Sequence, residues 1–78
     1  MNENIKLIAE RIAGLRDIME ITPDEMAETL NISLEEYEEY ERGEKDFSFS
    51  FLYTVADKLG IDITDLLTGA SARLSLYS

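Results

Sequence analysis

Four glutamates stand at positions 35, 36, 38 and 39, and within seven residues of the last of them follow Glu41, Arg42, Glu44, Lys45 and Asp46. Carboxylates this crowded suit three chemistries: proton transfer, cation binding, or electrostatic recognition of a basic surface. Proton transfer in catalysis needs partner groups in a pocket, and the chain contains no histidine and no cysteine. Its serines and threonines therefore lack a familiar activating base. No glycine-rich phosphate loop occurs either, and an enzyme is not expected. A hard cation takes six or more oxygens converging on a point, whereas side chains on one helix diverge, so no metal and no other cofactor is expected. What remains is charge. Between Asp24 and Asp46 lie ten acids and two bases, a local net of −8 out of −10 for the whole chain. Such a run is either a solvated helix face or a contact surface, and the helix that carries it decides which. Phe47, Phe51 and Tyr53 form a second candidate group, which either closes the core between neighbouring helices or offers an apolar interaction patch.

The elements that position these residues must fit into 78 residues, room for one domain with a single modest core. Without cysteine, packing alone holds it. Hydrophobic residues make up 45% and charged residues 31% of the chain, as in foldable globular domains. No apolar run approaches the ~18 residues of a membrane span, so no membrane partner is expected. The start Met1-Asn2-Glu3-Asn4 lacks the basic and then apolar run of a secretory signal, and a cytoplasmic location follows as the default.

Ile5, Ile8, Ile12, Leu15 and Met19 are spaced three and four apart, which predicts a first helix from about Glu3 to Glu20. Thr22-Pro23-Asp24-Glu25 reads as a threonine cap, a proline at the first helical position and a glutamate closing a capping box. The second helix then turns Met26, Ala27 and Leu30 inward. Asn31 tolerates the left-handed backbone that ends it, and Ser33-Leu34-Glu35-Glu36 repeats the capping-box pattern only three residues later. The third helix buries Leu34, Tyr37 and Tyr40, leaves Glu35, Glu36, Glu38 and Glu39 outside, and stops at Gly43. Phe47, Phe49, Phe51 and Tyr53 alternate like a strand, yet one strand would have no partner. Helical spacing also fits, with Phe49, Leu52, Val55, Ala56 and Leu59 on one stripe, Ser48 as cap and Gly60 as stop. That gives a fourth helix from about Phe49 to Leu59, and a short capped fifth covers Asp62 to Leu67 before Gly69. The fold class is all-α, a five-helix bundle. Residues 1–69 form the domain, and residues 70–78, with strand-like Leu74 and Leu76, read as a linker or the start of a further domain.

Two of these helices, joined by a three-residue turn, make a helix-turn-helix. Ile21 to Ala27, Leu30-Asn31-Ile32-Ser33, Tyr37, Tyr40-Glu41-Arg42-Gly43, Phe49, Leu52, Ala56, Leu59-Gly60-Ile61 and Leu66-Leu67 together resemble the Xre family, the Cro and phage-repressor type with a lambda repressor-like DNA-binding domain. The resemblance runs from residue 5 to 69 without a gap. It implies a transcriptional regulator, sequence-specific DNA binding, usually as a homodimer, and the third helix in the major groove. It places DNA contacts at Thr22, Pro23, Ser33, Leu34, Glu35, Glu36, Glu38, Glu39 and Lys45, and a structural ion pair between Arg16 and Glu41. It also implies a longer regulator with a C-terminal sensor, frequently cupin-like.

The chemistry of those positions pulls the other way. Pro23 has no side-chain donor for a phosphate, and Leu34, Glu35, Glu36, Glu38 and Glu39 offer no donor to guanine or adenine. A glutamate can accept from the cytosine amino group, but four of them face the phosphate field together. Only Lys45 and Arg42 are left to meet phosphates, and local ion pairs with Glu38, Glu39 or Glu41 compete for both. The alternative is a helix-turn-helix that acts as a protein-interaction or dimerisation module, docking to a basic protein partner or to its own C-terminal domain.

Overall fold

A computed structural model of the chain describes residues 3–68. Five helices follow one another: α1 (Glu3–Ile18), α2 (Pro23–Leu30), α3 (Leu34–Glu41), α4 (Phe49–Leu59) and α5 (Ile63–Thr68). The all-α class is observed, and among the described residues there is no strand. The strand-like segment at residues 70–78 and the stop at Gly69 lie outside the described residues. None of the described helices is long and apolar enough to cross a membrane.

α1 packs against α3, α4 and α5, while α2 packs against α3 and α4. Their shared core holds Ile12 of α1, Met26 and Ala27 of α2, Tyr37 of α3, Leu66 of α5, and Phe51, Leu52, Val55, Ala56 and Leu59 of α4. α4 contributes half of these and is the central post.

The local rules that end the helices are uniform. α1, α2, α3 and α4 each finish in a left-handed residue: Glu20 (φ 58°), Asn31 (φ 59°), Gly43 (φ 75°) and Gly60 (φ 72°). After each, the backbone closes the same pair of reverse hydrogen bonds. At the end of α1 these run from Glu20 N–H to Asp17 O and from Ile21 N–H to Arg16 O, both 3.0 Å. This pair of hydrogen bonds satisfies carbonyls that the helix leaves open and turns the following side chain inward. Ile21, Ile32 and Ile61 are those side chains in three of the four cases, and all three pack on the core. Helix α1 therefore stops two residues before the expected Glu20, because Glu20 itself adopts the left-handed turn. Met19, expected on the buried stripe, is 45% exposed as a result.

The starts also follow from side chains. Thr22 Oγ1 accepts from Glu25 N–H at 3.1 Å and Glu25 Oε1 accepts from Thr22 N–H at 3.4 Å, a complete capping box. Ser48 Oγ accepts from Phe51 N–H at 3.1 Å. At α3 only half of the box forms: Ser33 Oγ accepts from Glu36 N–H at 3.0 Å, while the Glu36 carboxylate turns to Lys45 instead.

Phe49 and Phe51 exchange the roles expected of them. Phe51 is in the core and Phe49 is 69% exposed. Tyr40, Phe47 and Phe51 form a three-ring cluster with centroids 4.2 to 5.6 Å apart, which pins the loop between α3 and α4. For Phe47 and Phe51 the core-closing role therefore holds in place of the interaction patch, and of that trio Tyr53 alone is exposed.

Candidate functional site

The acids of α3 and of the loop after it share the surface around Pro23, Arg42 and Lys45, while Glu25 and Glu28 of α2 border a different depression with Thr29 and Lys58. Tyr37, fully buried, anchors α3 from below. Glu35 and Glu38 point into solvent, and Glu36 and Glu39 are half-buried at the edge nearest the loop. Leu34, expected inside, is 37% exposed, because Ile32 and Tyr37 already supply the apolar contacts at that end of α3. Thr22 and Ser33 are exposed and occupied as caps of α2 and α3. Pro23 sits at the first position of α2 and shares a shallow depression with Glu38, Glu41 and Arg42.

Both bases of this face are taken. Arg42 grips Glu44 in a two-pronged pair, Nε to Oε2 at 2.8 Å and Nη2 to Oε1 at 3.2 Å. That bond raises the arginine above its usual value and lowers the Glu44 carboxyl below its own. Lys45 Nζ donates to Glu36 Oε2 at 3.3 Å, lies 3.6 Å from Glu39 Oε1, and stands 5.4 Å from the centre of the Tyr40 ring. Partial desolvation works to lower the lysine, but the bond to Glu36 and the charges of Glu36 and Glu39 outweigh it and hold it above the ordinary lysine value. The expected pairing of Arg42 with the glutamates of α3 gives way to Glu44, which the turn at Gly43 brings round. Glu35 with Glu38 and Glu39, Glu36 with Glu39, and Glu38 with Glu41 set like charges three or four residues apart, each costing a few tenths of a kcal/mol. α3 also has no base in its last turn to complement the helix dipole.

What holds α3 in place despite this is a buried network that reaches it from α1. Arg16 Nε donates to Glu41 Oε2 at 2.7 Å, Nη2 donates to Oε1 at 3.3 Å, and Nη1 donates to the Ile21 carbonyl at 2.8 Å. The Tyr37 hydroxyl donates to the same Glu41 carboxylate. Glu41 raises the arginine, chiefly through this hydrogen bond, while burial opposes it. Tyr37 is pushed far above the usual phenol value by burial first and by the neighbouring carboxylate second. One arginine thus ties the end of α1, the entry to α2 and the last turn of α3 together. Sequence reasoning missed Tyr37 and the Ile21 carbonyl as members. It also missed Arg11, whose Nη1 donates to the Leu66 and Leu67 carbonyls at 2.8 and 3.0 Å and caps α5 from α1. Among the described residues no cluster of carboxylates is arranged to hold a metal ion.

α2 and α3, joined by the three-residue turn at positions 31–33, pack against each other, and α4 packs against α2. A family model described as a helix-turn-helix domain matches residues 9–72. The chain belongs to that family. No curated protein matches it. Two crystal structures of the clp gene regulator ClgR from Corynebacterium glutamicum are similar to this helix-turn-helix domain. One has a TM-score of 0.82 at 26% identity, covering 97% of this chain and 81% of that one. The other has a TM-score of 0.80 at 26% identity, covering 94% of this chain and 95% of that one. In the helix-turn-helix domain described here, α3 is the second helix of the motif, and the acidic face is its outward side.

Proposed function

We propose that this helix-turn-helix domain is a module of a transcriptional regulator in which the α2–α3 face meets a basic protein surface and does not read a DNA groove. Family membership and the similarity to the clp gene regulator support the regulatory role. The observation that carries the rest is the pairing of Arg42 with Glu44 and of Lys45 with Glu36 and Glu39. A DNA-binding face gains affinity when its cations release counterions from phosphates. Here each cation would first have to leave a carboxylate, and Glu35 and Glu38 would then repel the same phosphates. A basic protein surface meets the opposite situation, an array of carboxylates only partly neutralised. The domain acts by binding and not by catalysis. Residues 1–69 are assigned to the helix-turn-helix domain of a longer cytoplasmic regulator with a C-terminal, cupin-like sensor, and that sensor or a basic protein is the partner.

The helix-turn-helix arrangement itself favours a second reading, direct DNA binding, usually by a homodimer, with Thr22, Pro23, Ser33, Leu34, Glu35, Glu36, Glu38, Glu39 and Lys45 at the contact positions. An NMR titration separates the two. With a lysine-rich peptide the amides of residues 34–46 are expected to shift in a saturable, salt-sensitive manner, while a duplex of random sequence leaves them in place. Shifts of α3 with duplex and none with peptide would reverse the assignment.

A further inference from the structure

We propose that residues 70–78, the segment that follows α5, lie along the outer ridge of α1, with Leu74 over Gly14 and Leu76 against Ile18. The segment is outside the described residues, and the row it occupies is defined by α1 and α5. Leu7, Arg11, Gly14 and Ile18 are four, three and four residues apart and so form one row along α1. Leu7 is 42% and Ile18 78% exposed, apolar surface that the described helices leave open. Gly14 stands between them, exposed and in the interior of α1. Glycine is one of the poorest helix formers, and a side chain at that position would meet nothing within 4 Å among the described residues. A glycine there is explained when another stretch of backbone passes close over it.

The fold delivers one occupant to this row. Arg11 Nη1 donates to the Leu66 and Leu67 carbonyls at 2.8 and 3.0 Å, which sets the end of α5 beside the row itself. Leu67 there is 44% exposed. The stretch from Thr68 to Leu74 spans up to about 20 Å when extended, while Gly14 lies only about 4.5 Å beyond Arg11 along the helix. Gly69, Ala70, Ser71 and Ala72 are small enough for the turn this requires. In an extended segment Leu74 and Leu76 fall on the same side about 6.6 Å apart, which matches the ~6 Å rise from Gly14 to Ile18. Charge agrees. From residue 66 to 78 the sequence has no acid and one base, Arg73, in a protein of net −10. The exposed Glu10 and Asp17 flank Gly14, four residues before it and three after. Asp17 is engaged by Arg16 Nη1 at 3.4 Å, so Arg73 takes Glu10. Tethering settles the choice, because a segment within ten residues of its anchor competes at an effective concentration that a free partner does not reach.

Methyl NOE spectra of the whole chain test this directly. The expected result is a set of contacts from the Leu74 and Leu76 methyls to Ile18 and to the Gly14 α-protons. A sample mixing labelled with unlabelled chains should place these contacts within one chain. Gly14→Gln, at an exposed site where glutamine is the better helix former, is expected to keep the far-UV spectrum and to abolish the contacts. Glu10→Lys should weaken them at low salt, while Glu28→Lys, the same charge change on α2, should leave them in place. No contact between residues 70–78 and α1, contacts that arise only between chains, or contacts that survive Gly14→Gln unchanged would each overturn the proposal.

Discussion

Replacing Arg16 by methionine is expected to cost about 3–5 kcal/mol, because it leaves the Glu41 carboxylate enclosed without its counterion. The side chains of the pair are only 10% and 17% exposed, so water cannot take over the missing charge. A domain of 78 residues has on the order of 4–12 kcal/mol to lose. Urea unfolding followed by circular dichroism should therefore show a midpoint far below the parent's, with the variant unfolded even without urea if the parent has no more than about 5 kcal/mol to lose. The large cost comes from the unpaired charge, not from a large net gain of the pair over apolar packing. For that reason Arg16→Met combined with Glu41→Gln, which removes both charges and leaves an acceptor for the Tyr37 hydroxyl, is expected to recover more than half of the loss. A single variant that costs less than about 1 kcal/mol would show that Arg16 does not organise the junction of α1, α2 and α3.

The second large effect concerns the acidic face itself. Glu35 and Glu38 are exposed on the outer side of α3, and Glu35→Lys with Glu38→Lys changes the charge of the face by four units. The double variant is expected to bind random duplex DNA roughly 100-fold more tightly than the parent at about 50 mM salt. Its slope of log affinity against log salt should steepen by about 0.9 for each phosphate neutralised. It should melt within about 5 °C of the parent, since the pairs 35 with 39 and 38 with 41 become attractive while 35 with 38 stays like-charged and position 38 comes to face Arg42. An unchanged DNA affinity would mean that the face is kept from DNA by its shape or position and not by its charge.

Much of this architecture was legible in the sequence because small polar and glycine residues mark it. Thr22-Pro23, Ser33 and Ser48 start helices, while Asn31, Gly43 and Gly60 end them, each through a local hydrogen bond or backbone preference that needs no tertiary partner. The end of α1 was not legible, since Glu20 carries no such preference and is held left-handed by the bonds that Ile21 makes on entering the core. The Phe49 and Phe51 exchange has a similar origin. Two residues apart on a helix, they stand at opposite edges of the α4 stripe, and either one extends it plausibly. Only the packing of Tyr40 of α3 and of Phe47 in the preceding loop against one edge decides that Phe51 is enclosed.

For the acidic face, its location was legible and its internal pairing was not. Spacing alone put the glutamates on the outside of α3. That Lys45 folds back to Glu36, nine residues earlier, and that Arg42 turns forward to Glu44 depends on the tight turn at Gly43. These pairings sharpen the electrostatic reading, because they remove the two cations on which phosphate contact would have rested.

The most direct test is a fluorescence-anisotropy titration of the unaltered chain against a labelled random duplex at about 50 mM salt. If the α2–α3 face is unable to hold DNA, no saturable binding appears up to about 100 µM, at or beyond the weak end of ordinary non-specific affinity. Saturable binding tighter than about 1 µM would contradict the account and return α3 to the role of a groove-reading helix.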